Sequence, residues 1–421
     1  MARTSGKQAL VEVLRKAGVE YVFGIPGATE IQFMDAFEKS GDMRYLLGLH
    51  EVVCVGMAEG YARATGRPGV LNLHTATGLG AASPLLYNAS HGRVPMIVTC
   101  GQNDTRLLQR DPQLTGDIVG MGKIHTKWST ELVHAEDIPT VLGRAFKMAL
   151  QSPTGPVLVS IPQDVLEQEF EFEATPSQTS FSFTRPDQIA INRAVDLLSG
   201  SVSPILLVES GVTRSGALDE VVQLAELIGA RVYQPWMSDV NFPVTHPQYL
   251  GDLDPSSPQT SDILLHADVL IGVGCSLFAE GFLPSSQSPV PPGAKIIHID
   301  DDPWEIGKNL PTDCGLQGDI KTTLVELNAL LENTLSHDAR CSAAARIAQI
   351  SLEKSAATAA WEATLKASDE GSPLSVQRLM LELRSATGPQ TVIVDEAWSA
   401  SAALRRTLPL DRPLTFFRAR Q

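Results

Sequence analysis

The sequence predicts an α/β protein: a doubly wound parallel sheet, a second, Rossmann-like α/β domain, and the start of a third α/β domain. Two features carry that expectation. Short continuous apolar runs of strand length alternate with segments of helical spacing, the pattern of a parallel sheet covered on both faces. The chain also has 421 residues, enough for two or three domains of ordinary size.

In the first part, apolar residues recur at helical spacing over Gln8–Ala17, and Tyr21–Gly24 is a short strand broken by Gly24 and Pro26. Thr29–Lys39 reads as helix, Tyr45–Leu49 as strand, Glu51–Thr65 as a helix rich in small residues, and Gly69–His74 as strand. Gly78–Ser90 and Ala135–Gln151 are helical in pattern, with strands at Pro95–Cys100 and Gly155–Pro162. Such alternation builds a layered α/β domain. Residues 166–186 are polar and carry Pro and Ser, as a surface linker does.

A second α/β run follows, with strands at Ser203–Val208, Ala230–Tyr233, Asp268–Gly274 and Lys295–Asp300 and helices at Gly216–Gly229 and 321–335. Residues 336–370 suit a connecting helix, Ser372–Ala386 is an amphipathic helix, Thr391–Asp395 reads as a buried strand, and Thr415–Gln421 opens another. The expected boundaries are 1–168 for the first domain, 169–186 for the linker, 187–336 for the middle domain, 337–370 for the connection and 371–421 for an incomplete third domain. That last stretch is too small to bury a core alone.

Hydrophobic residues make up 43% and charged residues 19% of the chain, an ordinary soluble composition. Its formal net charge of −15 argues against nucleic acid or an anionic membrane as a partner, because phosphate binding needs a local excess of Lys and Arg. The N-terminus runs into an amphipathic helix without a secretory apolar segment, and no later apolar run reaches membrane-spanning length. Five scattered cysteines without a CxxC spacing read as reduced thiols of a cytoplasmic protein.

Chemistry-bearing residues concentrate at three strand ends. Phe23–Glu30 is a strand-to-helix turn with two glycines and a proline; Leu46–Glu51 ends in a carboxylate that opens a helix; Asn72–Gly80 ends a strand in His74 and continues as a polar, glycine-spaced turn. Open parallel sheets place ligands at the carboxyl ends of their strands. Taken singly, Glu51 reads as a charge complementing a helix dipole and His74 as a structural histidine. Together they converge on one crevice.

These segments, with Ala58–Gly66, Pro95–Val98, Asn241–Pro247, Leu270–Cys275 and Ile299–Trp304, resemble the thiamine-diphosphate-dependent 2-oxoacid enzymes. Among these the chain is most similar to benzoylformate decarboxylase, then to acetolactate synthase. The resemblance implies that residues 1–168 bind the aminopyrimidine of thiamine diphosphate and that the reaction is non-oxidative decarboxylation of a 2-oxoacid through a thiazolium enamine. A carboligation ending, as in acetolactate synthase, stays open. It implies that Glu51 bonds the aminopyrimidine and sets up its proton exchange, for which a desolvated setting is needed; Leu49, Val52, Val53 and Val55 are the apolar neighbours expected to supply it.

His74 matches an active-site histidine of benzoylformate decarboxylase that handles protons and has no counterpart in acetolactate synthase. Pro26, Gly27 and Thr75 fall at expected cofactor contacts, and Ala28 and His74 at the substrate pocket. Ala28 stands where that decarboxylase has a serine on the substrate carboxylate, and a methyl group cannot hydrogen-bond a carboxylate. The decarboxylase's second histidine has no match in Cys275–Pro284. Gly272-Val273-Gly274 lacks the third glycine of a dinucleotide fingerprint, so a structural turn is expected, and nothing compels a flavin there. His246 and His298 read as packing residues. The acidic turn Asp300–Asp302 has no partner ligands at coordinating spacing.

The family holds the cofactor diphosphate through Mg2+ on its third domain, with Gly-Asp-Gly and a later Asn. Neither a Gly-Asp-Gly nor an asparagine after Asn333 occurs here, so the metal ligands are expected in a missing remainder. A longer enzyme seen in part, a subunit paired with a separate diphosphate-binding chain, and a non-catalytic structural or regulatory remnant all fit. The first is preferred, since splits fall between domains and not inside one. The resemblance also implies a homodimer or homotetramer with the active site between subunits, and a small 2-oxoacid as the substrate. A flavin- or nicotinamide-dependent oxidoreductase is the remaining alternative.

Overall fold

The computed structural model describes residues 2–173, 182–235, 238–254, 257–278, 288–368 and 373–418. The chain divides into two compact units, Met1–Phe181 and Ser182–Arg420.

The strands of the first unit are β1 (Ala2–Ser5), β2 (Tyr21–Gly24), β3 (Arg44–Leu47), β4 (Gly69–Leu73), β5 (Met96–Gln102), β6 (Trp128–Glu131), β7 (Pro156–Pro162) and β8 (Glu169–Phe172). Six of them form one parallel sheet in the order β3-β2-β4-β5-β7-β6. Successive side chains on a strand face opposite ways, and here both faces are apolar. Val22, Val70, Ile97 and Val157 join one core, with Leu10, Leu14, Phe33 and Phe37. Their neighbours Phe23, Leu71, Val98 and Leu158 join the other, with Cys54, Ala58, Leu79 and Leu86. Each fully buried Leu, Val or Phe contributes on the order of 1.5–3 kcal/mol, so the sheet is held from both sides.

Four helices of this unit bear on the site: α1 (Gly6–Lys16), α2 (Ile31–Glu38), α3 (Glu51–Thr65) and α4 (Thr75–His91). The helix expected from Thr29 begins as a 3-10 turn, Ala28–Glu30, before α2, and α4 begins three residues before the expected Gly78. The expected linker needs correction. Glu169–Phe172 is a strand that pairs antiparallel with β1, from Ser5 opposite Glu169 to Ala2 opposite Phe172. Residues 174–181 of that linker lie outside the described residues.

In the second unit, β9 (Pro204–Val208), β10 (Arg231–Pro235), β11 (Tyr249–Leu253), β12 (Val269–Val273), β13 (Lys295–Asp300) and β14 (Cys314–Gln317) form a parallel sheet in the order β11-β10-β9-β12-β13-β14. Alternation recurs: Leu206, Val208, Ile271 and Ile297 face one core, and Ile205, Leu207, Leu270 and Ile296 the other. The Gly272–Gly274 segment is a structural turn, with the Gly211 amide donating to the Gly274 carbonyl at 3.0 Å and the Gly274 amide to Ile299 at 2.8 Å. His298 is buried, its Nε2 2.8 Å from the Cys275 carbonyl, and His246 packs edge-on against Phe242. Asp300 and Asp302 serve the turn that follows, accepting from the amides of Asp302 and Trp304 at 2.8 and 2.9 Å.

The expected connecting helix is present as His337–Lys366. It is tied to β10 by a two-pronged ion pair, Arg231 Nη1 and Nη2 donating to Glu353 Oε2 and Oε1 at 2.6 and 3.0 Å. Beyond it, β15 (Ile393–Asp395) and β16 (Phe416–Arg418) pair in parallel. The first is not the buried strand expected: Val394 is 77% exposed. The segment shares a small core with the middle sheet's flank, made of Val240, Leu408, Leu410 and Phe416. Buried Arg418 bonds Asp395 and Ser401, and Arg405 pairs with Asp252 at 3.2 Å.

All five cysteines are free; Cys54, Cys100, Cys275 and Cys314 are buried and Cys341 is exposed. Burial pushes each of the four buried thiols above its ordinary value. Among the described residues no helix is long and apolar enough to cross a membrane.

Candidate active site

The order β3-β2-β4 sets the three strand ends singled out in the sequence side by side. Glu51 follows β3, Pro26 and Gly27 follow β2, and His74 follows β4.

Glu51 is the first residue of α3, whose N-cap is His50: the Val52 amide donates to His50 Nδ1 at 3.2 Å. A carboxylate at a helix N-terminus meets the positive end of the helix dipole. The Glu51 side chain is 20% exposed and runs over Gly78 of α4, where an added Cβ would lie 3.6 Å from Oε1. Its expected apolar cover is corrected in part. Val55 is fully buried, but Leu49 is 97% and Val53 51% exposed. Residues two positions either side of Glu51 point around the helix or out of the preceding turn, so nearness in sequence does not cover the carboxyl.

His74 caps α4 with extended backbone, and its ring is held from below. Nδ1 lies 2.9 Å from Glu30 Oε2 and 3.1 Å from Thr29 Oγ1. Glu30 is only 2% exposed. Its Oε2 also accepts from the Gly27 amide at 2.7 Å, and its Oε1 from the Thr29 hydroxyl at 2.6 Å. Two glycines make room for this. A Cβ on Gly27 would sit 2.3 Å from the His74 ring, and one on Gly101 of β5 only 1.8 Å from Glu30 Oε1. Glu30 and Thr29 were missed in the sequence, where a Glu ahead of a helix reads as a first-turn charge. Forty-four residues separate Glu30 from His74, and only the sheet order brings them together.

Thr75 takes a left-handed backbone, φ 51°, which costs a β-branched residue on the order of 1–3 kcal/mol. It is fully buried, and its carbonyl accepts from Cys100 Sγ at 3.1 Å. Its hydroxyl lies 3.3 Å from Thr77 Oγ1. Pro26 and Gly27 are half-buried and Ala28 is exposed. Beneath the strand ends, the Tyr45 hydroxyl donates to Asn72 Oδ1 and Asn72 Nδ2 to Thr99 Oγ1, each at 3.0 Å. That chain links β3, β4 and β5, and burial raises the Tyr45 hydroxyl well above its ordinary value.

The donor set suits one end of the cofactor implied by the resemblance. A carboxyl left partly open at a helix N-terminus, beside a glycine and an imidazole, can bond a ring nitrogen and exchange a proton with it. Among the described residues no group of three or more His, Cys, Asp or Glu is arranged to hold a metal.

The first of two parallel-sheet units thus carries an acid after β3 and an imidazole after β4, with β2 between them, at the sheet edge where open α/β sheets hold ligands. Comparison with known proteins makes this particular. Residues 4–121 match the family described as thiamine pyrophosphate enzyme, N-terminal TPP binding domain, and residues 191–327 match its central domain. Over 416 residues the chain is 30% identical to benzoylformate decarboxylase of Pseudomonas aeruginosa, covering 97% of this chain and 74% of that protein. Over 337 residues it is 31% identical to the acetolactate synthase large subunit of Haemophilus influenzae, covering 79% of this chain but 58% of that protein. The crystal structure of benzoylformate decarboxylase from Polynucleobacter necessarius superposes with a TM-score of 0.85 at 26% identity, over 98% of this chain and 74% of that one. The chain belongs to the thiamine pyrophosphate enzyme family. It spans between a half and three fifths of the length of the acetolactate synthases it matches.

Proposed function

We propose that the complete protein is a thiamine-diphosphate-dependent lyase of the benzoylformate-decarboxylase type, releasing carbon dioxide from a 2-oxoacid. The observation that supports this is His74 at the end of β4, on the same edge of the sheet as Glu51 with β2 between them, its ring braced by buried Glu30. An imidazole in that position gives a protein-borne proton carrier, which a decarboxylase needs to finish its reaction.

Glu51 would hold the aminopyrimidine through its carboxyl, with Pro26 and Gly27 bordering the ring. When bound, the cofactor supplies an electron sink for cleavage of the bond beside the 2-oxoacid carbonyl. The chain's own residues do the rest. Glu51 takes up and returns a proton at its carboxyl oxygen, kept in place by α3 and by the close approach of Gly78. His74 moves a proton at Nε2, since Nδ1 is engaged by Glu30. Mg2+ would bind with the cofactor's diphosphate through oxygen ligands.

Water exclusion calls for more than this chain. Leu47, Leu49 and Val53, exposed around the Glu51 strand end, would be covered by a second copy of the protein, so the working unit is at least a homodimer. One observation favours an acetolactate-synthase-like transferase as the second reading: Ala28, exposed at the turn, offers no hydroxyl for a substrate carboxylate. In that case the acceptor completing the reaction would be a second carbonyl compound and not a proton from His74.

The test is a panel of 2-oxoacids, benzoylformate and pyruvate among them, given to the purified protein with thiamine diphosphate and Mg2+. Carbon dioxide and aldehyde from benzoylformate are the expected products. Acetolactate from pyruvate would establish the second reading. No turnover, together with no calorimetric binding of thiamine diphosphate, would refute both.

A further inference from the structure

We propose that Glu30 is a positioning residue: it fixes His74 in the Nδ1–H tautomer, so that the working edge of the imidazole is Nε2. This deepens the function proposed above and rests on His74 acting there. The geometry allows little else. A neutral imidazole has one N–H and one bare nitrogen, and a carboxylate oxygen only accepts. With Oε2 of Glu30 2.9 Å from Nδ1, the proton belongs on Nδ1. Thr29 does not compete for that position, because its hydroxyl donates to Glu30 Oε1 at 2.6 Å and leaves a lone pair toward Nδ1, 3.1 Å away.

The carboxylate is itself immobilised. Three donors converge on its two oxygens, from Gly27, Thr29 and His74, and Gly101 is close enough to bar any side chain of its own. The ring cannot turn over to present Nδ1 without giving up this contact, and it lies flat on Gly27, where a Cβ would be 2.3 Å from Nδ1 and Cγ. Orientation and tautomer are thus set by one buried acid, the arrangement by which carboxylates prepare histidines for proton transfer elsewhere. No hydrogen bond engages His74 Nε2 among the described residues, which leaves it for the reacting molecule. The state this selects is a proton acceptor at Nε2 that becomes a donor there after one transfer.

The test reads the ring directly. Protein labelled with 15N-histidine is measured by solid-state NMR, and the His74 signal is isolated by difference from His74→Asn. The wild type is expected to show a protonated Nδ1 and a bare Nε2. Glu30→Gln, which keeps an acceptor oxygen, should preserve that state, whereas the apolar near-isostere Glu30→Leu should shift it toward Nε2–H. With benzoylformate as the probe, Glu30→Leu should lower kcat by about 10²–10⁴-fold, the range for losing a positioned acid–base group, with little change in KM. Nε2–H at His74 in the wild type overturns the proposal, and so does a Glu30→Leu spectrum that matches Glu30→Gln. The wild-type spectrum decides even if Glu30→Leu fails to fold. Absence of 2-oxoacid turnover would defeat the function proposed above while leaving this spectral result standing.

Discussion

The carboxyl of Glu51 lies against Gly78, one helix away, with 3.6 Å between Oε1 and the point where a side chain at residue 78 would begin. The acid belongs to the helix after β3 and the glycine to the helix after β4, so two crossover connections define one carboxyl position. Replacing Glu51 with Gln keeps the shape and removes the exchangeable proton. Turnover of any accepted 2-oxoacid should fall by at least about 10²–10⁴-fold, with thermal midpoint and circular dichroism unchanged. An active Glu51→Gln protein would show that the proton passes elsewhere.

Ala28 offers a gain-of-contact experiment. It is exposed, so Ala28→Ser should leave stability within about 0.5 kcal/mol of the wild type. A hydroxyl there restores the donor that the resemblance assigns to the substrate carboxylate. A hydrogen bond to a charged group contributes roughly 1.5–3 kcal/mol, so KM for benzoylformate should drop about 10- to 100-fold. Steady-state kinetics on the two proteins decides it; an unchanged KM means that the carboxylate is bound by other residues.

Gly101→Ala places a methyl 1.8 Å from the Glu30 carboxylate, in a position that backbone and buried side chains enclose. Overpacking typically costs about 1–3 kcal/mol, and here the displaced group is a buried acid with three donors to lose. The variant should lower the urea midpoint by that amount or more and reduce turnover. Gly18→Ala is a poor control because of its positive φ. Gly60→Ala, inside α3 where a Cβ meets nothing within 4 Å, should instead raise the urea midpoint, by up to about 1 kcal/mol of helix propensity.

Glu353 links stability to pH. Its bond to Arg231 holds the carboxyl below the ordinary value of 4.5. The folded state therefore binds its proton less readily than the unfolded chain, so the pair's contribution is complete above about pH 4.5 and is lost as pH falls through the depressed folded value. Both side chains are about a third exposed, and screening limits the contribution to under about 1 kcal/mol. Urea midpoints of the wild type and Glu353→Gln should differ at pH 7 and converge in acid. A gap that persists or widens below pH 4 would contradict the assignment.

Much of the fold could be read from the sequence because the central strands β2, β4, β5, β7, β9, β12 and β13 are apolar on both faces, and periodicity exposes them. Strands at the sheet edges escaped for the opposite reason. Trp128–Glu131, Tyr249–Leu253 and Cys314–Gln317 carry half an apolar pattern or less, and β1 pairs with a partner more than 160 residues away, a separation that local pattern does not encode. In the site, Glu51 and His74 were legible as strand-end residues. Glu30 was not, because its partner is assigned by sheet order. The apolar cover inferred for Glu51 erred similarly, by treating the neighbours Leu49 and Val53 as its surroundings.

The distribution of thiols has a practical corollary. Four sulfhydryls are enclosed and kept protonated by their surroundings, and the fifth, Cys341, stands in the open on the long helix of the second unit. An alkylating dye applied to the folded protein would thus stop at one molecule per chain. It would leave Cys54 and Cys100 of the first unit unmarked and supply a spectroscopic reporter without any engineered substitution.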